Sequence, residues 1–170
     1  GFEVAPARRY LNEKGMTVVT MKYRTPRPQG GLAKHTTAWQ DLQRAIRMVR
    51  SQAEKEDLDP NRIGIMGSSA GGHLTLMGAT SSKQKASWAI DDLHKISCNV
   101  QWAVAIYPAY VLTDGANGPN SKGGNEDDAR IVPEFAFDLD TCPMLVIHGD
   151  ADGYSPMGSI KCWEQLRRMG

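Results

Sequence analysis

The chain has 170 residues, enough for one domain with its own core and short for two. Its 20 basic and 19 acidic residues leave a net charge of +1, so there is no basic surplus to hold a nucleic-acid backbone. No run of about 18 apolar residues occurs, which excludes a transmembrane helix. Cys98, Cys142 and Cys162 are widely spaced, with no CxxC pair and no histidine cluster beside them. That spacing argues against a zinc site or a disulfide framework and for buried free thiols.

Helix and strand signals alternate along the chain, the pattern of a parallel sheet with crossover helices. Residues 4–14 read as a helix, with Val4, Ala7 and Leu11 on one face and Gly15 at its C′ position. Residues 16–21 (MTVVTM) are β-branched and apolar and predict a buried strand. Residues 24–35, with two prolines and a Gly-Gly pair, predict a loop. A long helix follows at 36–55, where Trp39, Leu42, Ile46, Val49 and Ala53 form a stripe that Arg44, Arg47 and Arg50 avoid. Strands are expected at 62–67, 100–107 and 144–148, and helices at 70–80 and 157–169, the last with Ile160, Trp163 and Leu166 on one face. The Gly-, Asn- and Asp-rich stretch 111–130 is too long and polar for an ordinary connection. It reads as a surface insert or a lid, and its Asn125-Glu126-Asp127-Asp128 cluster lacks EF-hand spacing.

Gly67-Ser68-Ser69-Ala70-Gly71 matches G-x-S-x-G. In a chain with 17 glycines such a match arises by chance about once in ten, so its context decides. A strand before it and a helix after it are what a nucleophile on a tight turn needs, and both are expected here. The glycine spacing marks Ser69 rather than Ser68 as the candidate nucleophile. Gly67 and Gly71 are expected where a Cβ would clash. The N–H of Ala70, at the start of the following helix, is the candidate oxyanion donor.

The second feature is PMLVIHGDADGYSP, residues 143–156, in which a strand runs into an Asp-rich turn. Parallel strands end on one edge, so this turn and Ser69 are expected at the same edge of the sheet. Asp152 or Asp150 could there orient an imidazole, and Asp150 could equally cap the turn. Of the four histidines, His148 reads as a packed strand-end residue and His73 as part of the helix packing. His35 falls in the loop before the long helix, and His94 in a polar stretch.

Together, LDPNRIGIMGSSAGGHL and PMLVIHGDADGYSP resemble the α/β-hydrolase superfamily, and more narrowly bacterial serine esterases of the acetyl-xylan and carbohydrate esterase kind. The resemblance covers nearly the whole chain. It implies an α/β-hydrolase fold, Ser69 as nucleophile and Asp152 as triad acid. It also implies a small-molecule or carbohydrate ester as substrate, and no cofactor or metal. The family's oxyanion loop precedes the first helix found here, and its histidine follows one more helix and strand. The expectation is therefore a fragment lacking the first strands and the last strand, inactive alone. A serine peptidase of the prolyl-oligopeptidase kind and a non-catalytic binding protein on the same scaffold are the competing readings.

Overall fold

The computed structural model describes residues 4–25, 33, 35–113 and 130–169. Three parallel strands, β1 (Gly64–Ser68), β2 (Trp102–Ile106) and β3 (Met144–Ile147), form a sheet in that order. The helices are α1 (Val4–Glu13), α2 (Thr36–Gln52), α3 (Ala70–Thr80) and α4 (Met157–Met169), with a 3₁₀ turn at Asp92–Lys95. The parallel sheet with crossover helices agrees with the α/β architecture expected from the alternating pattern. The loop expected at 24–35 lies partly outside the described residues, as do most of the 111–130 insert and the whole 125–128 acidic cluster.

Strand alternation decides which face becomes core. Ile65, Ala103, Ala105 and Met144 share one face, and Ala103 and Ala105 are fully packed beneath α3. Helix α3 is made of small and apolar residues, so every residue from Gly72 to Thr80 is buried between the sheet and α2. The opposite face carries Met66, Leu145 and Ile147, all substantially exposed. Helix α1 buries none of its residues and ends as expected, with Gly15 at φ +78° and a Met16 N–H to Leu11 carbonyl bond of 3.1 Å.

Three expectations need correction. Residues 16–21 form no strand: no described segment offers a ladder to pair with, and Met16 and Val19 are exposed, while Met21 still packs on the core. A β-branched run supplies propensity but not a partner. On α2, Arg47 does not stay clear of the core; it is buried, with Nε donating to the Ile96 carbonyl at 3.0 Å. Arg50 donates to the carbonyls of Pro60, Ser97 and Asn99, and Arg44 grips Asp91 with two 2.6 Å bonds. The three arginines thus fasten the 91–99 segment to the helix. On α4, Gly158, Ser159 and Cys162 face inward instead of Ile160 and Trp163, because small residues permit close approach to Val111 and Leu112. The three cysteines are free and buried, as their spacing suggested.

Candidate active site

Ser69 stands between β1 and α3 with φ 54° and ψ −119°, in the left-handed half of backbone space that a residue with a Cβ seldom occupies. The surrounding backbone holds it there. Its N–H donates to the Ile106 carbonyl at 3.0 Å, and its carbonyl accepts from the N–H groups of His73 and Ala109, both at 3.1 Å. The hydroxyl makes no capping bond to the helix it precedes. Ala70 is the first residue of α3, so its N–H belongs to the group that a helix start leaves without an intrahelical acceptor. Ser69 is half-buried and Ala70 exposed, which leaves the turn open to solvent.

Crowding at this turn differs from the motif reading. A Cβ on Gly67 would lie 2.4 Å from the Gly71 carbonyl oxygen, so Gly67 is required as expected. A Cβ on Gly71 would meet nothing within 4 Å, and the expected clash there is absent. The tight glycine is Gly72, whose added Cβ would stand 2.9 Å from Pro108 Cα and 3.0 Å from the Ile106 carbonyl. A run of two glycines gave no sign of which one faces the sheet.

Asp152 follows β3, and Ser69 follows β1, so both lie at the carboxyl edge with β2 between them. Two strand spacings put the ends of β1 and β3 about 10 Å apart, room for an imidazole between side chains. The Asp152 carboxylate is exposed and accepts the Tyr154 N–H at 3.0 Å, so it takes the turn-capping role weighed for Asp150. Tyr154 in turn meets the Tyr110 ring edge-on at 5.9 Å, and Tyr110 has positive φ.

Among the described residues, none of the four imidazoles hydrogen-bonds the Ser69 hydroxyl or the Asp152 carboxylate. His148 is a strut, its Nε2–H donating to the Tyr154 carbonyl at 3.3 Å while Nδ1 accepts from Ser159 Oγ at 2.7 Å. His94 bonds Ser87 and the Ile90 N–H. His73 donates Nδ1–H to the Ala109 carbonyl at 3.2 Å, and its ring lies tilted against Phe135 at 4.8 Å. Burial pushes its imidazole pKa below the usual range, against the opposing pull of Glu134. His35 and His73 both approach Glu134, a cluster drawn from positions too distant in sequence for spacing to disclose.

A strained serine between a parallel strand and a helix, at the carboxyl edge of such a sheet, is the arrangement of the α/β-hydrolase fold. The chain belongs to the BD-FAE family, whose model matches residues 3–162. An acetylxylan esterase of Xylanibacter ruminicola is 36% identical over 73 residues, which are 43% of this chain and 14% of that protein. The acetyl ester-xyloside bifunctional hydrolase of Caldicellulosiruptor lactoaceticus superposes with a TM-score of 0.75 at 26% identity. That match covers 97% of this chain and 61% of the other. A lipase/esterase of Lactobacillus plantarum shares the fold, with a TM-score of 0.74 at 22% identity over 99% of this chain and 69% of its own. The chain thus spans less than two thirds of the acetylxylan esterase and of the bifunctional hydrolase.

Proposed function

We propose that the protein is a serine carboxylic-ester hydrolase acting on small acyl esters, acetylated carbohydrates among them. The observation that carries this reading is Ser69, held in a costly backbone conformation with its hydroxyl uncommitted to the helix behind it. The Ser69 hydroxyl oxygen attacks the ester carbonyl carbon while an imidazole takes its proton. Charge developing on the carbonyl oxygen is met by the Ala70 N–H and the start of α3. Collapse expels the alcohol, which recovers the proton from the imidazolium, and leaves the acyl group on Ser69. Water, activated by the same imidazole, then releases the acid. Asp152 orients that imidazole across the gap between β1 and β3. The imidazoles of His73, His94 and His148 are hydrogen-bonded to other groups, and that of His35 faces Glu134.

The test is an ester panel with the full-length protein, together with labelling by a serine-reactive phosphonate. Acetyl esters should be cleaved, the label should map to Ser69, and Ser69→Ala should lower kcat/KM by about 10⁴-fold or more with the fold intact. Label found elsewhere, or hydrolysis that survives Ser69→Ala, would refute the reading. Complete inertness to esters and phosphonate would favour a binding role on the hydrolase scaffold.

A further inference from the structure

The cluster of His35, His73 and Glu134 lies outside the chemistry assigned to Ser69 and Asp152. Each comes from a different part of the fold: His35 is the N-cap of α2, His73 sits in the first turn of α3, and Glu134 lies in the 130–143 connection. One donor atom from each falls within 4.8 Å of the other two. His35 Nδ1 is 3.4 Å and His73 Nε2 is 3.7 Å from the same oxygen, Glu134 Oε1. Such separations are long for charge-assisted hydrogen bonds, which run about 2.7–2.9 Å. They are close to the edge of a tetrahedron around zinc, about 3.3–3.4 Å for bonds of 2.0–2.1 Å. To complete that shape the two nitrogens need to close by no more than roughly 1.4 Å.

The surroundings are those of a metal ligand. The Ala109 carbonyl can only accept, so His73 Nδ1 carries the proton. In the neutral ring Nε2 is left with a lone pair, and it lies 3.7 Å from Glu134 Oε1, a carboxylate oxygen that would repel it. A carbonyl on the far nitrogen is also the usual means of orienting a metal-bound imidazole. Phe135 at 4.8 Å and Tyr110 at 6.5 Å wall the ring. The Glu134 backbone is anchored by Ser81, whose hydroxyl donates to its carbonyl at 2.7 Å. Two imidazoles and one carboxylate suit zinc and not the hard cations, which require oxygen shells.

We propose that His35, His73 and Glu134 form a binding site for a zinc ion, with a fourth position open to water. The ion would join the start of α2, the start of α3 and the 130–143 connection, four residues from Ser69. It therefore acts on the rigidity of the serine turn and takes no part in the ester chemistry.

Full-length protein stripped with a chelator should bind one more zinc than either His35→Ala or Glu134→Gln, by calorimetry. Each variant should weaken that site by at least about tenfold. Zinc should raise the wild-type Tm by several degrees at hundredfold excess over Kd, and magnesium and calcium should leave it unchanged. Cobalt in the same site should show the intense visible bands of a tetrahedral ion, absent in both variants. Ser69→Ala should bind zinc as wild type does, so the metal result stands apart from the esterase result. Glu134→Gln preserves shape, which separates loss of a ligand from loss of fold. No zinc bound at about 100 µM, or binding equal in wild type and both variants, would overturn the proposal.

Discussion

Gly71 and Gly72 are adjacent and chemically identical, yet alanine at the two should have opposite effects. At Gly72 the new methyl would press on Pro108 Cα at 2.9 Å and the Ile106 carbonyl at 3.0 Å. Both contacts involve backbone, and the β2 end they belong to is itself pinned to Ser69. Neither can turn aside as a flexible side chain would, so α3 must shift away from the sheet. Overpacking of this kind costs about 1–3 kcal/mol. At Gly71 the methyl enters open space in the first turn of a helix, and φ is not positive. Replacing glycine by alanine there recovers about 0.4–1 kcal/mol of backbone entropy. With about 2–4 °C per kcal/mol for a domain of this size, Gly72→Ala should lower Tm by roughly 2–12 °C while Gly71→Ala raises it slightly. Differential scanning calorimetry or urea melts of the full-length protein would read both. If Gly71→Ala proves the more damaging of the two, the packing argument for this turn fails.

Asp91 gives a pH prediction. Hydrogen bonds from Arg44 hold its carboxyl at about 2, below the ordinary 3.8. A depressed folded-state pKa contributes stability above the unfolded value, and that contribution disappears as pH falls from 3.8 through about 2. Any stability gap between wild type and Arg44→Ala near neutral pH should close over that window, and the Asp91 carboxyl should titrate higher in the variant than in wild type by NMR. Arg47→Ala removes a buried charged hydrogen bond and its packed stem, so it should cost about 2–3 kcal/mol in urea unfolding. Burial pushes the Cys162 thiol up to about 12 and Cys142 up to about 11. Iodoacetamide at mildly alkaline pH should leave both unmodified in native protein and label both in guanidinium, read by peptide mass spectrometry.

What the sequence disclosed was local. Helix α3 begins and ends where the small, apolar run 70–80 does, and the strand before Ser69 falls largely within the expected 62–67 segment. Those signals depend on neighbours in the chain. The misjudged features depend on neighbours in space. Residues 16–21 have strand composition but no described partner. Arg47 looked solvent-bound by periodicity, yet the Ile96 carbonyl, 49 residues away, accepts its Nε–H. The inward face of α4 is set by what Val111 and Leu112 leave room for, so small residues outrank Trp163. The His35–His73–Glu134 cluster draws on positions separated by 38 and 61 residues, and no spacing rule joins them.

The left-handed backbone of Ser69 also sets two kinds of selection against each other. A glycine there would relieve strain of about 1–3 kcal/mol, so Ser69→Gly should fold at least as well as the natural chain. A laboratory lineage bred only for heat resistance or yield would drift toward that substitution and discard the hydroxyl. In a natural lineage, a serine retained at this strained position would record continued use, because stability alone gives no reason to keep it.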